Sequence, residues 1–167
     1  SNFWVVTSEA YVGMLQRQLP DIPQENIISE PCARSTAPCI AYACWKIMAK
    51  DPRANLVITP SDAYVENIEE YRRIISEALN FTAEGRRIVT IGIKPTRPET
   101  GYGYIAAGEA VAGEILKVDS FREKPSLEVA EEYLAAGNYL WNAGIFVWNV
   151  DIITSELRTH TPALASV

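Results

Sequence analysis

The chain has 167 residues, of which 48% are hydrophobic and 22% charged. That is enough for one domain with a real core and too apolar for a disordered chain. A net charge of −6, with Arg72-Arg73 and Arg86-Arg87 standing as isolated surface pairs, excludes a protein that grips DNA or RNA backbones.

The three cysteines, Cys32, Cys39 and Cys44, are odd in number and lack a CxxC spacing, so neither a disulfide framework nor a zinc site is signalled. Cys39 and Cys44 fall among small apolar residues and read as buried thiols, and reduced cysteines fit a cytoplasmic protein. His160 is the one histidine, which argues against histidine metal sites and leaves a Ser-His-Asp triad resting on a single residue near the end of the chain. No apolar run reaches membrane-spanning length.

In chain order, Phe3 to Thr7 predicts a buried strand. Glu9 to Leu19 predicts a helix stopped by Pro20 and Pro23. Ile27-Ile28 marks a second short strand. Thr36 to Ala49 predicts a helix that Thr36 can cap, with Pro38 in its first turn and Ile40, Ala41, Cys44, Ile47 and Met48 on its apolar face. Leu56 to Thr59 is a strand running into Pro60-Ser61-Asp62. Glu66 to Leu79 is an amphipathic helix and Arg87 to Ile93 a strand. The rhythm then changes: Tyr102 to Ile105 reads as a hairpin strand and Ile115 to Phe121 as another. Ser126 opens a helix to about Ala136, Ala143 to Val150 is an apolar strand, and Ile152 to Arg158 a final helix. The first half is β-α-β-α-β-α-β, which favours a parallel sheet with helices on both faces. The expected class is α/β, with a Rossmann-like, mostly parallel mixed sheet and a small antiparallel annex.

Ligands of such sheets bind at the carboxyl ends of strands, which selects the loops to inspect. Asp62 arrives there on a buried strand; a carboxylate in that place holds a hard cation such as Mg²⁺, or Asp62 or Ser61 simply caps the next helix. The polar loop Glu30 to Pro38 leads into a helix start, where free N–H groups favour anions and Arg34 can add a bidentate contact. Gly101 and Gly103, in Thr100-Gly101-Tyr102-Gly103-Tyr104, let a ligand approach the backbone. With Ala106 they match a dinucleotide fingerprint, yet the pattern here follows a Pro-rich loop and opens a strand, so that match is rejected. Glu123-Lys124 sets an acid beside a base at a strand end, and Asn142 brings an amide into the strand that continues through Gly144. Each of these has an ordinary alternative as a turn, a cap or a solvated surface.

Taken in order, EPxxR-S-TAP, TPSD, TGYGYI, FREKP and WNAGIF resemble the motifs of the sugar-1-phosphate nucleotidyltransferase family, over nearly the whole chain. The resemblance implies a reaction of sugar 1-phosphate with nucleoside triphosphate giving nucleotide-sugar and pyrophosphate. Arg34 to Pro38, Leu19-Pro20 and Glu25 to Ile28 point within it to the guanylyl branch, with GTP and mannose 1-phosphate as partners and Mg²⁺ as cofactor. By that likeness residues 1–167 form one partial catalytic domain. Asp62 binds the metal, and Gly103, beside Gly101, offers backbone to the sugar. Glu123 takes sugar hydroxyls, Lys124 the sugar phosphate, and Asn142 contacts the sugar where Gly144 keeps room. Arg34 and Ser35 lie on the nucleobase side. A homo-oligomer is compatible with this reading. Uridylyl or thymidylyl transfer, and a non-catalytic subunit that senses nucleotide-sugar, are the alternatives.

Two positions depart from the family, which usually carries asparagine at Ser35 and histidine at Ala63. The family's Gly-rich triphosphate loop has no counterpart before Phe3, and the branch's second metal-binding aspartate lies beyond the last residue. The polypeptide alone is therefore expected to show little or no turnover.

Overall fold

The computed structural model describes residues 2–30 and 35–165; Cys32 and Arg34 lie outside the described residues. In chain order the elements are β1 (Val5–Ser8), α1 (Val12–Gln18), β2 (Ile27–Glu30), α2 (Thr36–Lys50), β3 (Asn55–Ile58), α3 (Ile68–Ala83) and β4 (Ile88–Ile93). There follow β5 (Gly103–Ala112), β6 (Ile115–Glu123), α4 (Leu127–Ala136), β7 (Tyr139–Asn149), α5 (Val150–His160) and α6 (Pro162–Ala165). The α/β class expected from the sequence holds. Among the described residues no helix is long and apolar enough to cross a membrane.

The chain forms two compact units, Ser1–Ala54 with Val150–Val167, and Asn55–Asn149. In the first, β1 and β2 pair in parallel, Val5 opposite Ile27. Asn26 is buried because its amide donates to the Phe3 carbonyl at 3.0 Å, which joins the start of β2 to the start of the chain. On α2 the residues Ala41, Cys44 and Ile47 are buried and recur at three-residue steps, the spacing of one helical face. Small side chains there let α5 come close, and the Thr154 hydroxyl reaches Met48 Sδ at 3.4 Å. Cys44 is fully buried. Cys39 is half-buried, and loss of water, followed by the nearby Glu30 carboxylate, pushes its thiol pKa up. The cap of α2 is Ser35 rather than Thr36, with φ of 80° and no side-chain capping bond.

The second unit carries a five-stranded sheet in which every direct pairing is antiparallel. The parallel relation expected of β3 and β4 survives only indirectly. Both run against β7, which returns late in the chain and inserts between them, Ile58 and Thr90 facing Phe146 from opposite sides. β5 and β6 form a long hairpin whose amino end joins β7 at Tyr104 and Trp141.

Tyr104, Trp141 and Ala130 make the core beneath α4, where Tyr133 stacks on Tyr139 at 3.9 Å. At the other end of β7, α3 is tied down by polar groups. Thr82, fully buried, donates from one hydroxyl toward Asn55 Oδ1 at 3.1 Å and Ala78 O at 2.9 Å, while the Asn55 amide donates to Leu79 O at 2.9 Å. Each buried polar atom there has a partner, which is what makes its burial tolerable. These contacts hold β3 in place, and with it the loop that follows.

Candidate functional site

The central observation is a break in the edge of β7. Along one side β7 is lined by β4. Along the other, β3 pairs with Phe146 to Asn149 and β5 with Tyr139 to Trp141, so residues 142 to 145 have no ladder partner there among the described residues. The carboxyl end of β3 and the amino end of β5 therefore flank a gap in the sheet. Across from β4 the register also slips: two steps from Thr90 to Gly92 span four from Phe146 to Asn142. This is a bulge, a device that re-aims side chains and is common beside functional sites. Gly144 sits in it with φ of 69°, a left-handed geometry that glycine takes without a Cβ clash. A Cβ built on Gly144 would lie 3.9 Å from Pro60 Cγ, so the loop after β3 comes up against the bulge.

Asn142 starts the bulge. Its Oδ1 accepts the Gly144 N–H at 3.1 Å and the Thr90 hydroxyl at 3.0 Å. Gly103, opposite Glu123 in the hairpin, is buried. A Cβ there would stand 2.6 Å from Glu123 Oε2 and 3.0 Å from Phe121 Cζ, so the Glu123 carboxylate lies directly against this stretch of backbone. The Lys124 N–H donates to Tyr102 O at 3.1 Å. In an antiparallel ladder main-chain groups alternate in direction, so those of Gly103, one residue on, turn away from β6 to the edge of β5 that pairs with β7 at Tyr104. Lys124 has φ of 46°, which ends the strand sharply and leaves its ammonium exposed.

The loop before β5 is built around Glu99. Its carboxylate accepts the Gly101 N–H at 3.1 Å and the Arg97 guanidinium at 3.1 Å, and its own N–H donates to the Tyr104 hydroxyl at 2.9 Å. The Gly101 N–H, then Arg97, hold its carboxyl below the usual carboxylate range. Arg97 lies over the Trp141 ring at 5.4 Å, and Tyr102 meets that ring edge-on at 5.5 Å. Gly101 thus has its N–H committed to Glu99.

Asp62 is exposed, in the turn after β3. It does not cap the following helix, and neither does Ser61. That helix begins at Ile68, and Asn67 caps it by accepting the Glu70 N–H at 3.1 Å. Among the described residues no group of three or more His, Cys, Asp or Glu side chains gathers to hold a metal. A single carboxylate still suits Mg²⁺, which keeps waters and takes its other ligands from substrate phosphates.

Asp62, Gly101, Gly103, Glu123, Lys124, Asn142 and Gly144 all belong to the second unit, in or next to the loop after β3, the β5–β6 hairpin and β7. Ser35 belongs to the first unit. A groove of about 530 Å³ in the second unit, lined by Ile74, Phe81, Ile88, Val111, Leu116 and Val118 among others, includes none of the predicted residues. Sequence reasoning missed Thr90 and Glu99. Thr90 sits in an apolar strand and Glu99 in a Pro-rich loop, and neither has a local signal of what it touches.

A sequence profile of the nucleotidyl transferase family matches residues 1–167. The chain is 36% identical over 166 residues to the mannose-1-phosphate guanylyltransferase of Escherichia coli K12, covering 95% of this chain and 34% of that protein. It is 37% identical over 165 residues to the mannose-1-phosphate guanylyltransferase of Sinorhizobium fredii, covering 97% of this chain and 32% of that one. Among solved structures it is similar to the mannose-1-phosphate geranyltransferase of Thermus thermophilus. That match has a TM-score of 0.87 and 30% identity, over 96% of this chain and 46% of the other. The chain thus spans about a third of the length of the curated relatives it matches.

Proposed function

Since the chain belongs to the nucleotidyl transferase family, we propose that it supplies the sugar-phosphate side of a site that transfers a guanylyl group from GTP to mannose 1-phosphate, giving GDP-mannose and pyrophosphate. The observation that carries this reading is the gap beside the β7 bulge. The loop that follows β3 carries a lone carboxylate, β7 carries an amide, and the hairpin beside them sets an acid–base pair next to a glycine of β5.

The chemistry needs no histidine base, because a phosphate oxygen is already a nucleophile. His160 lies instead on α5 beside Glu156 at 3.4 Å. Positioning and charge neutralisation then carry the reaction. In this reading Lys124 takes the sugar phosphate, Glu123 accepts from sugar hydroxyls, Asn142 donates to the substrate, and the Gly103 backbone closes one wall. Asp62 would hold Mg²⁺, which supplies charge neutralisation on the phosphates when bound. Names of the relatives support mannose and guanylyl as the two groups.

Titration of the 167-residue chain with mannose 1-phosphate, by calorimetry or NMR, tests the proposal. Saturable binding is expected, weakened about 10- to 100-fold by Lys124→Ala, the loss of one charge-assisted contact. Absence of binding, or binding indifferent to Lys124→Ala and Asn142→Ala, removes the reading.

A further inference from the structure

We infer that Thr90 is a positioning residue for Asn142: its hydroxyl, reaching across from β4, anchors the carboxamide whose orientation the Gly144 N–H sets, and so holds Asn142 in place as a hydrogen-bond donor to the phosphosugar. This rests on the sugar-phosphate reading of the site and adds to it the polarity of one contact and the residue that holds the contacting group in place.

A carboxamide has an accepting oxygen and a donating nitrogen of nearly equal size, so only its partners choose between the two orientations. At Asn142 the Gly144 N–H makes the choice. The Gly144 N–H, which can only donate, points at Oδ1 from 3.1 Å. The Thr90 hydroxyl stands 3.0 Å from the same atom, closer than its other acceptor, the Ile145 carbonyl at 3.4 Å. A reversed amide would turn its NH₂ onto the Gly144 N–H. The oxygen is therefore occupied, and Nδ2 makes no hydrogen bond with the described residues and is left for a ligand.

The two anchors differ in what they fix. Gly144 belongs to the same bulge as Asn142 and moves with it, so that bond shapes the bulge without placing it. Thr90 belongs to the neighbouring strand and ties the amide to the rest of the sheet. Both Thr90 and Asn142 are half-buried, so water competes less well for the bond.

Four chains test the inference: wild type, Thr90→Val, Thr90→Ser and Asn142→Asp, each measured for mannose 1-phosphate affinity and urea unfolding. Thr90→Val keeps the shape and removes the donor. It should unfold cooperatively and bind about 2- to 10-fold more weakly, the effect of one neutral hydrogen bond. Thr90→Ser should bind as wild type does. Asn142→Asp keeps an oxygen for both anchors but faces the substrate phosphate with a negative acceptor. It should fold and lose most binding.

Wild-type affinity in Thr90→Val, with binding lost in Asn142→Asp, overturns the role of Thr90 and leaves the sugar-phosphate reading standing. Wild-type affinity in Asn142→Asp overturns the donor assignment. No saturable binding by the wild-type chain removes both readings. Should Thr90→Val fail to fold, Thr90→Ala, which also lacks the donor, decides against Thr90→Ser. Weaker binding by Thr90→Ala than by Thr90→Ser is expected, and equal affinity in the two overturns the role of Thr90.

Discussion

Gly103 shows how much of the site depends on a missing side chain. Its buried backbone lies against the Glu123 carboxylate, and an added methyl would fall 2.6 Å from Oε2. The obstructing atoms are the ends of side chains, Glu123 and the 44% exposed Phe121, which can swing toward solvent. Gly103→Ala should therefore cost stability only modestly, about 1 kcal/mol, while displacing the Glu123 carboxylate from this backbone. The expected result is a small drop in urea midpoint with a loss of mannose 1-phosphate affinity at least as large as that of Glu123→Ala. Unchanged affinity would show that Glu123 does not act from this position. The sequence marked Gly103 and Glu123 as separate candidates, and their pairing across the hairpin joins them. Thr90 and Glu99 were not legible at all, because a hydroxyl in an apolar strand and a glutamate in a loop acquire meaning only from the atoms they meet.

Among the elements, α3 engages its own acids in structural contacts. Its cap is Asn67, and its exposed face carries Arg73 bonded to Glu70 and Glu77 within the helix and to Glu114 in the hairpin turn. Asp62 takes no part in this. Asn67→Ala should lower stability by about 1 kcal/mol, the loss of one N-cap. Asp62→Ala should leave the unfolding free energy within about 0.5 kcal/mol of wild type, as befits a surface substitution, while removing any effect of Mg²⁺ on mannose 1-phosphate binding. A destabilised Asp62→Ala would return that residue to a structural role. The helical period marks α3 readily, but places its start early, at Glu66, since the polar stretch before Ile68 offers several capping residues and geometry picks one. In α2 the same ambiguity resolves to Ser35 instead of Thr36.

For the whole molecule, the consequential fact is that the sugar-side candidates fall within one uninterrupted stretch, Asn55–Asn149, while the other unit is assembled from both ends of the chain. The continuous unit has its own core around Tyr104, Trp141 and Ala130 and its own anchor at Asn55 and Thr82. Expressed alone, residues 55–149 should unfold cooperatively and bind mannose 1-phosphate within about threefold of the full chain, a difference below about 1 kcal/mol. A non-cooperative, dye-binding collapsed state would show instead that this stretch needs the remainder to fold.

By itself the sequence determined what depends on neighbours along the chain: where helices and strands run, that the class is α/β, and which loops carry chemically apt residues. Hydrophobic period, capping residues and motif order are local quantities, so they survive in one dimension. Only the tertiary structure decided that β7 returns between β3 and β4 and turns a predicted parallel arrangement into antiparallel ladders. It alone showed the bulge and the gap beside it, and that Thr90 bonds Asn142 while Glu99 bonds Gly101 and Tyr104. Strand partnership and register are set by packing among residues distant in sequence, and that information resides in no single stretch of the chain.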